Sequence, residues 1–472
     1  MPKVTPALKV DFSDVYKKYD ILNKIERALK LAEFPDFSTY LAQVDSVKRR
    51  DYQKGYDSFM ERCKIPMNLQ IVMKPDEKQF KESIDPKGFK ARNIFNPSNE
   101  VKAVIGYIAW CFMRVLKKID VFKDSFVQGW NSERLEETLT KEAAGLIDPQ
   151  GMSWDGSNHD AHQHADFIES VDNMFIRRFF PIICAKVGFN VAQTQEIVKK
   201  ASATKCQVTL YMPNYLQGFT LLGKNRFKIF SGKLIQTTFS GHPTRTTLFN
   251  TLRILLLQLK IGLDCGAIAK GSVDGEKPTF CPKQSGDDTY LMIESLISEA
   301  YGNAMRKYYA FEEGVSHGYG QLCGDLNYFP KFSEAGYTHI DFLSKTGFVT
   351  KYEAVSTRQC RRIVATGDVS AKIGVNLTED QLMAGIKAQL LASYASWPMY
   401  KMLIDKKFGH VEANCKYILN EYKSVTDGHH EYNPTYMVMH PDSRDLKILD
   451  NSRGDTQLLY PHLYKLMTEV GY

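Results

Sequence analysis

Three short segments of this chain carry side chains that could do chemistry together. In Lys283–Ile293, Gly286 permits a tight turn, Asp287 and Asp288 sit at its tip, and Thr289–Ile293 reads as a short strand. A strand-turn-strand with acids at the turn can hold hard divalent cations rigidly. Upstream, Trp154–His164 is dense in polar and acidic residues, with four residues between Asp155 and Asp160. Between these two segments, Ser240-Gly241 opens a loop that feeds a helix. Thr246 and Asn250, four apart on that helix, share a face. A further group, Lys87, Lys90 and Arg92, precedes Asn93–Ser98, and basic side chains on an extended segment could grip phosphates. A different chemistry is open for His159, His162 and His164 beside Asp155, Asp160 and Asp166. That set would suit zinc or another transition metal in a hydrolase, but it leaves the Gly286 and Ser240 segments without a role.

These residues need elements to position them. Gly151–Trp154 reads as a strand leading to Asp155, and apolar spacing predicts a helix over 165–180. Segments 207–211 and 227–233 alternate like strands, and Ser231-Gly232 reads as a hairpin turn. A strong helix is expected from Thr244 to Lys260, with Leu248, Leu252, Leu255, Leu256 and Leu259 on its apolar face. Another follows over 294–311, and Phe342–Phe348 reads as a second tight hairpin. From about 350 the chain reads as helical and basic, with Thr378–Gln381 as a capping box. Near the N-terminus, Ile21–Leu31 is an amphipathic helix, a further helix starts near Val101, and Lys48, Arg49 and Arg50 read as a solvated face.

Bulk properties bound the class. The 472 residues are 43% hydrophobic and 24% charged, as expected for a globular protein with subdomains around a shared core. The net charge of +7 favours a polyanionic partner over a polycationic one. Nine cysteines stand singly, without zinc-knuckle spacing, and read as reduced thiols of a cytosolic protein. The first residues lack the apolar core of a signal peptide, and the apolar stretches 101–116 and 248–263 are short and interrupted by charge, so no transmembrane segment is expected. There are no repeats or low-complexity tracts.

The ordered set Asp155…Asp160, Ser240-Gly241…Thr246…Asn250 and Gly286-Asp287-Asp288 resembles palm motifs A, B and C of viral RNA-dependent RNA polymerases. The flavour is that of tombusvirus-like and flavivirus-like positive-strand enzymes, and the resemblance covers roughly residues 85–350. Segment 87–92 then looks like motif F and 342–348 like the motif E hairpin. The resemblance implies an α+β right-hand fold with an antiparallel palm sheet. Residues 1–80 would be an N-terminal extension or part of the fingers, 81–150 and 165–239 fingers, 151–164 and 240–345 palm, and 346–472 a mostly helical thumb. It implies template-directed RNA synthesis from nucleoside triphosphates by two-metal nucleotidyl transfer, replicating a viral RNA genome. Asp155 and Asp287 would be the main ligands of two Mg²⁺ ions, with Asp288 supporting and Mn²⁺ able to substitute. Asp160, Ser240, Gly241, Thr246 and Asn250 would form the nucleotide and ribose site, reading the 2′-hydroxyl. Lys90 and Arg92 would cover the triphosphate, and Arg358, Arg361 and Arg362 in the thumb could touch template or product. Partners would be RNA template and product, nucleoside triphosphates, and other viral or host replication proteins. The location would be the host cytoplasm, peripheral to membrane-bound replication complexes. Two features depart from the family pattern. Four residues, His242–Arg245, stand between Gly241 and Thr246 where three are usual, which leaves Thr244 as an alternative to Thr246. The motif D region, Gly320–Asp325, has no lysine to act as general acid; Lys331 is nearby, and the role is unassigned.

Overall fold

The structure is a computed structural model that describes residues 10–44, 46–73, 93–130, 132–157, 159, 163, 167–203, 205–213, 226–235, 241–309, 321–322, 326–343, 345–358, 380, 383–384, 387 and 404–412. It is an α+β protein in which helices pack around mainly antiparallel sheets. In chain order the strands are β1 (Asn68–Met73), β2 (Asn93–Asn96), β3 (Pro149–Trp154), β4 (Gly156–Ser157), β5 (Lys205–Pro213), β6 (Arg226–Ile235) and β7 (Phe280–Ser285). They continue as β8 (Asp288–Glu294), β9 (Gln321–Leu322), β10 (Asn327–Lys331), β11 (Thr338–Phe342), β12 (Lys345–Val349) and β13 (Ala354–Arg358).

The helices form because their apolar residues recur at helical spacing and their ends are capped. In Ile21–Leu31, the buried Ile21, Ile25 and Leu29 fall four apart on one face. Asp36 caps Phe37–Ala42, its Oδ1 accepting from the Thr39 amide at 2.9 Å. Asn190 and Gln193 cap Val191–Ala201 reciprocally. Arg49 caps in the other direction: its Nε donates to the Val44 carbonyl and its Nη2 to that of Ala42, so one cation of the 48–50 cluster serves a helix end rather than bulk solvent.

The sheet that bears the candidate site has the order β10-β3-β8-β7, antiparallel throughout. Both faces are covered. Met152, Trp154, Leu291 and Ile293 join a large core with the 21–31, 106–116, 174–186 and 250–264 helices. Tyr290 and Met292 join a second core with Val127, Leu135, Leu139, Ile340, Phe342 and Val349. This alternation is the period-2 signature of strands buried on both sides. A second sheet runs β2-β1-β5-β6, with β1 and β5 parallel. The third runs β11-β12-β13, and β4 pairs with β9.

Several expectations are corrected or extended. Ser231 and Gly232 lie inside β6, opposite Thr209 and Val208 of β5, so they form no turn; the connection between these strands falls at 214–225, outside the described residues. A glycine inside a strand mimics a turn signal when its partner strand is distant in sequence. Residues 354–358 form a third strand on the expected 342–348 hairpin where helix was anticipated; Ala-Val-Ser-Thr-Arg has the β-branched content to extend the sheet. Of the 378–381 capping box only Asp380 is described, and it is helical, as are 383, 384 and 387. Among the described residues no helix is long and apolar enough to cross a membrane.

Candidate functional site

The acids of the first and third segments meet at one end of the β3–β8 pair. The last ladder pair is Trp154–Thr289; Asp155 follows just past the end of β3, and Asp288 opens the neighbouring β8. β7 and β8 are joined by the two-residue turn Gly286-Asp287, closed by the Ser285–Asp288 pair. Gly286 has φ 63° and Asp287 does not have positive φ, the arrangement of a II′-type hairpin turn with glycine in first place. Asp155 and Asp288 are exposed and Asp287 is half-buried. Three carboxylates therefore occupy one strand edge, 132 residues apart in the sequence as counted from Asp155 to Asp287 (287 − 155). Among the described residues no three His, Cys, Asp or Glu side chains already converge as a metal-ligand set. The acids share an edge without forming a closed cage.

The second segment packs against the same turn. Gly241, with φ 92°, leads to His242, which caps a wide helical turn over Pro243–Phe249 that continues as the α-helix Asn250–Asp264. Wide turns of this i→i+5 kind absorb one extra residue in a helix. Thr246 Oγ1 donates back to the His242 carbonyl at 2.7 Å, and the Thr246 carbonyl lies near Gly286. Thr251 Oγ1 accepts from the Gly286 amide at 2.9 Å and donates to the Thr247 carbonyl at 2.7 Å.

Beneath the turn lies a buried polar network. Gln284 Nε2 donates to the Gly286 carbonyl at 3.0 Å. Gln284 Oε1 accepts from Gln258 Nε2 at 2.7 Å and from Thr289 Oγ1 at 2.9 Å. Thr289 Oγ1 also lies 3.3 Å from the Asp287 carbonyl. The Gln284 backbone is held by Ser125 and Val127. None of Thr251, Gln258, Gln284 or Thr289 stands out in the sequence, since each is an ordinary polar residue whose partner is set by the tertiary fold.

Asn250 is buried, and its Oδ1 accepts from Arg253 Nη2. Arg253 in turn donates to Asp172 at 2.7 Å, and Arg245 approaches the same oxygen at 3.6 Å; all three are fully buried. Burial pushes the Asp172 carboxyl up while Arg253 and Arg245 oppose the rise. The amide of Asn250 is thus oriented through Arg253 by an acid on the wide turn Ile168–Asn173. Burial holds His242 well below its usual range, with the Arg245 charge adding to the effect, so its imidazole is neutral.

Lys331 pairs in register with Gln150, at the far end of β3 from Asp155, and its Nζ meets Glu334 at 3.4 Å. Five residues of strand span about 16 Å, which is too far for Lys331 to deliver a proton at the acid edge. Asp160, Ser240, Lys90, Arg92, His162 and His164 lie outside the described residues. His159 is described, with the Gln163 amide 3.4 Å from its Nδ1. No protein-family model matches this chain, and none of the curated proteins is detectably similar to it.

Proposed function

We propose that this chain is a viral RNA-dependent RNA polymerase that copies an RNA template from nucleoside triphosphates. The observation that carries the reading is the β3–β8 ladder, which brings Asp155, just past its last pair, to the same end as Asp288 and the Gly286-Asp287 turn. The docking of the Thr246–Asn250 helix on that turn through Thr251 supports it further. In this reading the β10-β3-β8-β7 sheet is the palm of a right-hand fold, the β2-β1-β5-β6 sheet belongs to the fingers, and the chain beyond about 346 contributes the thumb.

The donor set fits Mg²⁺: carboxylate oxygens at a solvated edge leave room for the waters and substrate phosphates that this ion retains. Asp155 and Asp287 would hold two ions, with Asp288 supporting and Mn²⁺ able to replace Mg²⁺. Bound there, the ions would lower the charge barrier to attack of a 3′-hydroxyl on the α-phosphorus and to departure of pyrophosphate. The residues of the chain do the positioning. Lys90 and Arg92 would neutralise the incoming triphosphate. Asp160 and Ser240 would read the ribose 2′-hydroxyl. Asn250 would join them through its Nδ2, because its Oδ1 is committed to Arg253. A deoxynucleotide would leave these polar groups without a partner, and that loss is the source of selectivity. Gly241 would let the loop before the helix adjust to the template strand.

The test is RNA synthesis by purified protein on a primed and an unprimed template with Mg²⁺. Asp287→Ala and Asp155→Ala should each reduce incorporation by at least about 10³-fold while leaving the fold intact, the scale expected when electrostatic positioning is removed. RNA extension by Asp287→Ala at the wild-type rate would end this reading.

A further inference from the structure

We infer that Thr251, Gln284 and Thr289 are positioning residues that fix the Gly286-Asp287 turn in a cation-binding geometry, and that the helix bearing Asn250 sets this geometry through Thr251. The inference rests on the proposed polymerase reading and adds to it the groups that hold the acids in place.

A two-residue turn at the tip of a hairpin ordinarily leaves its inner amide and carbonyls to solvent. Here two of them are held by side chains and a third has a hydroxyl beside it. The Gly286 amide donates to Thr251 Oγ1 at 2.9 Å, the Gly286 carbonyl accepts from Gln284 Nε2 at 3.0 Å, and the Asp287 carbonyl faces Thr289 Oγ1 at 3.3 Å. These partners are themselves fixed. Thr251, Gln284 and Thr289 are buried, and Gln284 Oε1 is shared between Gln258 and Thr289. The hydroxyl of Thr251 has one direction open to it, because it accepts from Gly286 and donates to the Thr247 carbonyl. The turn thus cannot rotate without breaking a bond in a water-poor interior, where an unmade hydrogen bond is costly. Asp287 sits on the turn that these bonds hold, and one of them comes from the helix carrying the proposed nucleotide contacts. Metal-ligating carboxylates depend on such outer partners for their orientation.

Thr251→Val keeps the shape and removes the hydroxyl; Thr251→Ser keeps the hydroxyl. Gln284→Met removes the amide in a second, independent variant. Two readouts are taken beside thermal melting: the Mg²⁺ concentration giving half-maximal RNA synthesis, and Mn²⁺ binding to the protein alone, followed by the electron paramagnetic resonance of free Mn²⁺. Thr251→Val and Gln284→Met should weaken Mn²⁺ binding and shift the Mg²⁺ dependence by about 10- to 100-fold, with Thr251→Ser close to wild type. Asp287→Ala, run in parallel, reports on the polymerase reading itself. If Asp287→Ala is inactive while folded Thr251→Val and Gln284→Met keep wild-type Mn²⁺ affinity and Mg²⁺ dependence, the positioning inference fails alone. If Asp287→Ala synthesises RNA normally, the polymerase reading fails, and the Mn²⁺ measurement still decides whether the network shapes a cation site. Unfolding of both Thr251→Val and Gln284→Met would also overturn the inference, since the network would then be holding the core and not the turn.

Discussion

A buried, neutral histidine starts the helix that follows Gly241. Nδ1 of His242 lies 2.8 Å from Thr244 Oγ1 and 3.3 Å from the Thr244 amide, so protonation of that nitrogen would break the cap. Because burial depresses the folded-state value below the ordinary 6.5, the unfolded chain takes up a proton before the folded one does. The stability contributed by the neutral ring is therefore present above that value and is lost as the pH falls below it. Urea midpoints should drop between about pH 7 and about pH 5, and His242→Asn, which keeps a capping side chain, should flatten that part of the profile. An unchanged slope in the variant would remove His242 from the account. At this scale Asp155 and Asp287 were legible because their segments are local: an acid after a strand, an acid on a glycine turn. The Gln258–Gln284 and Asp172–Arg253 pairs were not, since they join positions 26 and 81 residues apart and nothing in either local pattern selects the partner.

Elements were legible where residue type and spacing follow one simple period. The Ile21–Leu31 helix has the bounds its apolar spacing implies, with Ile21, Ile25 and Leu29 inside and Arg27 and Lys30 in surface ion pairs. Ile25→Ala should cost about 2–5 kcal/mol of unfolding free energy, measured by denaturant titration; a loss below about 1 kcal/mol would mean that this helix docks only loosely on the rest. The wide turn at 243–249 was beyond reach, because an i→i+5 bulge leaves the apolar pattern of Leu248, Leu252, Leu255 and Leu259 almost unaltered. Strand β13 was hidden for another reason. It is held by Glu136 of the 132–145 helix, whose Oε1 accepts from the amide and hydroxyl of Ser356 at 2.7 and 2.9 Å, a contact across 220 positions.

At the scale of the whole molecule, the acid-bearing sheet is clamped between two apolar cores, one built largely by helices from the first two hundred residues and the 250–264 helix, the other by the 132–145 helix and β11–β12. The N-terminal helices, which carry no chemistry of their own, therefore belong to the body that fixes the β3–β8 register. That register has a thermodynamic consequence. Like charges gathered at one end of a strand pair repel, and Asp155 and Asp288 are exposed next to the last pair of the β3–β8 ladder, with Asp287 on the adjoining turn. A divalent cation that binds the folded edge and not the unfolded chain relieves the repulsion and adds stability that grows with the logarithm of its concentration, about 2.7 kcal/mol at a hundredfold excess over its dissociation constant. The melting temperature should climb with Mg²⁺ or Mn²⁺ well beyond the effect of monovalent salt at equal ionic strength. Asp155→Asn should respond less than wild type to added cation; equal responses from the two proteins would mean that the edge holds no ion. Heat resistance then becomes a gauge of cation occupancy, readable with neither RNA nor nucleotide present.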